Sequence, residues 1–139
     1  MSRIESEMAT APTLPTFHDG RLAGLVLLPD KRCCLFVVTE DNKFYRVVLL
    51  GVEWLRADDF REGNVILDLT AQSGNSVQKA DVLFALSIDD ENRHPSFFSA
   101  IMERIYRNEL LLVQVDPSYG CVFSCLCTRW LLEPWTIDP

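Results

Sequence analysis

Leu110-Leu111-Leu112-Val113-Gln114-Val115 and Cys121-Val122-Phe123-Ser124-Cys125-Leu126-Cys127-Thr128-Arg129-Trp130 are two long β-type runs, separated by Asp116-Pro117-Ser118-Tyr119-Gly120. Pro early and Gly late in a short polar interval is turn chemistry, because proline presets φ and glycine accepts a positive φ without a Cβ clash. The two runs therefore read as an antiparallel hairpin. In its second strand the two-residue period places Cys121, Phe123, Cys125 and Cys127 on one face. Three thiols in line with a phenyl ring are what a packed core accepts, since a free cysteine behaves as a small hydrophobe.

Upstream of the hairpin, Pro95 suits a first helical position, and Phe97, Phe98, Ile101, Met102 and Ile105 form one apolar stripe. Glu103, Arg104 and Arg107 fall on the opposite face, and Asn108 marks the stop. Residues 76–88 fit two readings: Val77, Ala80, Leu83 and Phe84 recur at helical spacing, whereas 82–88 reads equally well as extended chain.

Toward the N-terminus, 22–28 and 33–39 are apolar runs broken by Pro29-Asp30-Lys31 and form a second hairpin. After the polar turn at 40–43, residues 44–50 supply a third strand, and 65–70 another, with Val65, Leu67 and Leu69 alternating with Ile66, Asp68 and Thr70. Residues 51–62, charged in their second half, are expected to hold a strand end and a short helical turn. The fold class is α+β: a mainly antiparallel sheet of about six strands with one or two helices packed on one face. Residues 1–15 carry no apolar period and read as a flexible tail, leaving 16–139 as a single domain.

A chain of 139 residues, 48% hydrophobic and 24% charged, has the length and composition for one buried core. Its apolar runs fall well short of the ~20 residues that cross a bilayer, so no membrane association is expected. Residues 1–15 lack the basic start and apolar core of a secretory signal, and the expected compartment is the cytoplasm. There, cysteines stay reduced unless a metal or catalysis claims them. Cys33 and Cys34 are adjacent, and Cys121, Cys125 and Cys127 match neither zinc-ribbon nor redox spacing, so no cofactor is expected. The net charge of −7, with 13 basic residues against 20 acidic, opposes nucleic-acid binding. It suits a basic protein partner, and equally it keeps a protein soluble.

Few residues suggest chemistry. His18 and Asp19 form the one histidine–carboxylate pair, capable in principle of metal or acid/base work, but only His94 could join them as a second imidazole. Cys33 or Cys34 with His18 is the single thiol–base pairing, and both cysteines lie in an apolar run. Asp58 with Asp59, and Asp89 with Asp90 and Glu91, are the densest carboxylate groups, without calcium-loop spacing. Trp135 is expected to pack on the sheet, the alternative being an exposed anchor. The glycines form no phosphate-binding pattern.

Phe17-His18-Asp19-Gly20-Arg21-Leu22, Leu50-Gly51-Val52, Glu62-Gly63-Asn64-Val65-Ile66 and Asp116-Pro117-Ser118-Tyr119-Gly120 together carry a resemblance. The chain resembles small uncharacterised bacterial α+β domains with an N-terminal HD pair, some regarded as immunity proteins of polymorphic toxin systems. The resemblance implies a non-catalytic protein that binds and blocks a partner, and it assigns no functional residue; the cysteine-rich last strand departs from the group. The leading expectation is thus a protein-binding module for a basic partner, with Asp58, Asp59, Asp89, Asp90, Glu91 and Trp135 as its candidate surface and no catalytic or metal residues. The alternatives are a small metal-dependent hydrolase using His18 and Asp19, and an oligomer-forming domain that pairs through a sheet edge or the Trp135 tail.

Overall fold

The computed structural model describes residues 4–5 and 17–135. Among the described residues there are nine strands, with two α-helices in succession between the sixth and seventh: β1 (Ile4–Glu5), β2 (Arg21–Leu28), β3 (Arg32–Val38), β4 (Phe44–Leu50), β5 (Trp54–Asp58), β6 (Asn64–Gln72), α1 (Lys79–Leu86), α2 (Pro95–Tyr106), β7 (Leu111–Tyr119), β8 (Val122–Cys127) and β9 (Arg129–Pro134). All belong to one antiparallel sheet of order β1-β9-β4-β3-β2-β6-β7-β8-β5. The α+β class and the antiparallel sheet agree with the sequence. The strand number does not: eight strands of five residues or more are present, plus the two-residue β1, against about six expected.

Both additional strands arise from bends in the chain. Residues 51–62 are expected to hold a strand end and a short helical turn, but within 54–58 Leu55 and Ala57 pack on the core while Arg56 pairs with Asp58 at 3.0 Å along the strand. This two-residue alternation makes them a strand against β8. The expected single strand 121–130 is interrupted at Thr128, whose amide and hydroxyl both donate to the Leu50 carbonyl, at 3.0 and 3.1 Å. Opposite it the chain turns at Gly51, where φ is +64° and a Cβ would overlap Thr128 Oγ1.

β4 and β5 are thus one bent strand, and β8 and β9 another. Since β4 pairs with β9 and β5 with β8, these two bent strands pair with each other around the corner and the wall closes into a barrel. One apolar cluster fills it, with Leu35, Val47, Leu49, Leu111, Val113, Phe123 and Trp130 buried, and Cys33, Cys121, Cys125 and Cys127 among them as free thiols. The predicted alignment of Cys121, Phe123, Cys125 and Cys127 is present.

β6 departs from the simple alternation. Ile66 faces Pro117 and Asp68 faces Asp116, leaving Leu67 as an extra residue. Such a bulge shifts the phase by one, so Ile66, Leu69 and Ala71 point inward and Leu67 is 47% exposed. At the rim, the Asn64 side-chain oxygen accepts the amides of Arg61 (2.8 Å) and Cys121 (3.0 Å), and its Nδ2 donates to the Leu22 carbonyl (3.2 Å).

The helices cover the outer side of β7 and β8, where Leu110, Leu112 and Leu126 meet Val82, Ala85, Leu86, Phe98, Ile101, Met102 and Ile105. Residues 79–86 are helical, which resolves the open reading; the buried face runs through Val82, Ala85 and Leu86, while Ala80 is exposed. α2 begins at Pro95 as expected, and Asn108 (φ +61°) ends it with the Glu109 amide donating to the Arg104 carbonyl at 2.8 Å. Phe97, placed in the apolar stripe by its spacing, lies on the rim, 39% exposed and edge-on to Trp54.

Of the expected N-terminal tail, Ile4–Glu5 pairs with Leu131 and Leu132 of β9; the remainder lies outside the described residues, as does the boundary at 15–16. Among the described residues no helix is long and apolar enough to cross a membrane.

Candidate functional site

The turn before β2 is stitched to the bulge in β6. The Asp19 amide donates to the Ile66 carbonyl at 2.9 Å, and His18 Nδ1 lies 2.9 Å from the Leu67 carbonyl, a contact that requires the proton on that nitrogen. The exposed residue at the bulge therefore holds the imidazole in place. His18 Nε2 stands 3.5 Å from Asp19 Oδ2. The Leu67 carbonyl raises the His18 pKa above its ordinary value, aided by the carboxylates of Asp19, Glu40 and Asp68.

One of those acids belongs to a second group. Asp68 and Asp116 stand directly opposite each other on β6 and β7, both exposed on the outer face of the barrel. Directly opposed like charges repel across a sheet. Although exposed, Asp116 is partly desolvated by its neighbours, which pushes its carboxyl up from its ordinary value, and Asp81 of α1 and Asp68 push it further. Among the described residues, none of Asp68, Asp81 and Asp116 is in an ion pair. Asp68 thus belongs to two acidic groups, one with Asp19 and Glu40 around His18 and the other with Asp81 and Asp116.

Beside this acidic face, Phe17, His18, Thr39, Glu40, Asp41, Lys43 and Tyr45 line an open cleft of about 640 Å³. Phe17 and Tyr45 meet edge-on at its floor, ring centres 5.8 Å apart. Asp41 is held below its ordinary pKa by the Thr39 hydroxyl and by Lys43.

The carboxylates singled out by sequence are placed differently. Asp58 pairs with Arg56 (3.0 Å), Asp59 with Arg61 (3.8 Å), Asp89 with Arg93 (3.4 Å) and Glu91 with Lys79 (3.8 Å), while Asp90 accepts the Asn92 amide at 2.9 Å. Asp58 ends β5 and Asp59 follows it, and Asp89, Asp90 and Glu91 lie between α1 and α2. Among the described residues no hydrogen bond or ion pair joins the two groups. Four of these five carboxylates thus face a nearby cation, and Asp90 a backbone amide. Trp135 packs on the sheet: its Nε1 donates to the Tyr45 carbonyl at 2.8 Å, and its ring meets Phe36 and Phe44 edge-on at 5.0 and 5.5 Å.

Cys33 is buried in the barrel, where desolvation pushes its thiol up to about 12, and Cys34 lies on the other face near Arg46 and Glu133, its pKa also raised by burial. His18 is exposed on its turn. Among the described residues no three His, Cys, Asp or Glu side chains are grouped to hold a metal ion.

Sequence reasoning missed the opposed aspartates because each stands alone in its run, and only strand register brings them together. The available signal was a lone carboxylate interrupting the apolar segments 65–71 and 110–116. Comparisons of the chain with protein-family models, with curated proteins and with solved structures found no match.

Proposed function

We propose that the chain is a non-catalytic protein-binding module for a partner with a basic surface, an immunity-type role in which binding blocks the partner. The observation that carries this reading is the Asp68–Asp116 pair. Two carboxylates opposed on neighbouring strands, with Asp81 beside them and no cation within ion-pairing distance among the described residues, cost stability in the free protein. Lysine or arginine side chains of a partner relieve that repulsion on contact and speed encounter from a distance. The binding face of this module is therefore centred on Asp68, Asp81 and Asp116, with Asp19 and Glu40 on the His18 side of Asp68. The acidic loops at Asp58–Asp59 and Asp89–Glu91 are secondary, because all of their carboxylates but Asp90 already have a cationic partner.

The test compares wild type with Asp68→Asn/Asp81→Asn/Asp116→Asn in affinity capture from source-cell extract, followed by titration of the purified captured protein. Wild type is expected to recover a basic protein, with binding weakened at least tenfold in the triple variant and also by raised salt. A captured protein bound equally by both, or no salt-sensitive partner at all, would overturn the reading. His18→Ala/Asp19→Ala serves as the control for the hydrolase alternative: loss of a metal-stimulated hydrolytic activity in that variant would favour it instead.

A further inference from the structure

β2 runs on past the start of β6, whose first residue, Asn64, lies opposite Leu22. Leu22 faces Val37 while Gly24 faces Phe36, so Ala23 is an extra residue, and pairing with β6 ends at Leu22 and Asn64. The bulge interrupts only the β3 ladder, which resumes to Leu28, whereas the β6 ladder stops because that strand begins at Asn64. From residue 24 to 28 the strand is bonded to β3 alone among the described residues, and its other edge is open. Unprotected edges are normally blunted by charge, but no charged residue lies between 22 and 29, and Val26, Leu27 and Leu28 are 40%, 68% and 37% exposed.

Charges stand only at the two ends of this edge. Arg21 and Glu62 flank one end, where a cleft of about 490 Å³ is lined by Arg21, Ala23, Phe60 and Glu62 among others. Asp30 and Lys31 form the turn at the other end. Among the described residues none of these four is in an ion pair.

We propose that this edge pairs with the same edge of a second copy of the chain, antiparallel about a two-fold axis between Leu25 and Val26. Such an isologous contact sets an apolar edge against itself. It also brings each end onto the opposite end of the other copy, so that Arg21 comes level with Asp30 and Lys31 approaches Glu62 at the cleft. A basic partner suited to the Asp68–Asp116 face is repelled here, because Lys31 and Arg32 occupy the exposed tip. The dimer uses a different surface from the proposed binding face, and neither inference depends on the other. A ladder this short gives an interface below the standard size, hence a reversible dimer in the micromolar range.

Sedimentation equilibrium of the full chain, from low micromolar to submillimolar concentration, tests the proposal on wild type, Leu27→Lys, Arg21→Glu and Arg21→Glu/Asp30→Arg, with circular dichroism as a check on folding. Wild type is expected to show a monomer–dimer equilibrium that Leu27→Lys abolishes. Arg21→Glu weakens it about tenfold, and the double charge exchange restores it to within a few-fold. A wild type that stays monomeric throughout overturns the proposal, and so does a dimer unaffected by Leu27→Lys or by Arg21→Glu. If Leu27→Lys does not fold, the surface charge variants decide alone, since they change no buried group.

Discussion

The side-chain oxygen of Asn64 accepts the amide of Cys121 at 3.0 Å, and it does so where Gly120, at φ +90°, brings the backbone so close that a Cβ would overlap that oxygen. One buried amide thereby joins the start of β6, the β7–β8 turn and β2. Asn64→Ala leaves two amides and a carbonyl without this partner, and the expected loss is about 2–4 kcal/mol, read as a lower urea midpoint with an unchanged m-value. Gly120→Ala breaks the same contact from the other side. The two losses are therefore expected to be less than additive in the double variant.

Glu53 and Arg104 form a two-pronged pair, both contacts at 2.7 Å, that ties the β4–β5 bend to α2. The Arg104 guanidinium holds the Glu53 carboxyl below its ordinary value of 4.5. A depressed carboxylate contributes stability above its unfolded pKa, and that contribution is lost as pH falls through the folded value. Glu53→Gln is thus expected to be less stable than wild type at pH 7, by under about 1 kcal/mol because the pair is partly exposed. Chemical unfolding from pH 7 down to the folded value would show the gap closing below pH 4.5.

Asp116 carries the opposite sign. Its pKa is raised from the ordinary 3.8, so the protein is relatively most stable below that value and loses the advantage as pH rises through the folded pKa. Asp116→Asn is expected to stabilise the free protein at pH 7 by about 0.2–1 kcal/mol, a gain that fades below pH 3.8. The same substitution weakens the proposed partner. Thermal melts and binding titrations on one variant would separate this trade from a simple loss of fold, in which both would fall together.

All five cysteines are buried, with Cys33 and Cys121 pushed up to about 12 and 11 by desolvation and Cys125 raised by Cys127 and burial. Thiolate is the reactive form, so the native protein is expected to react with an aromatic disulfide reagent at a small fraction of the unfolded rate for every thiol. A fast native phase at pH 8 would show an accessible cysteine and contradict the packing.

Local patterns in the chain foretold local structure. Pro95 and Asn108 bracketed α2, the shared face of Cys121, Phe123, Cys125 and Cys127 followed from a period of two, and the two runs of the last hairpin were legible, but the turn expected over 116–120 shrinks to Gly120, because β7 runs on to Tyr119 and pairs there with β6. Features set by long-range pairing escaped. The phase shift at Leu67 depends on what lies opposite β6, and the split at Thr128 depends on Gly51 across the ladder. Likewise Asp58 and Asp89 stand out in the sequence because acids cluster there, yet neighbouring arginines neutralise both. Asp68 and Asp116 stand out only after their strands are paired.

The barrel closes through its last strands, and this sets an order on the life of a newly made chain. Arg46 and Glu133, 87 residues apart, pair through bonds of 2.8 and 2.6 Å on the two strands that complete the wall. While the chain is being synthesised, β2, β3 and β4 can form a sheet as soon as they leave the ribosome, but β4 keeps an unpaired apolar side until β9 emerges. Contacts of such long sequence separation form slowly. The growing polypeptide therefore spends most of its synthesis with an open, sticky flank, and a chain stalled before Arg129 is the form most in need of chaperone cover.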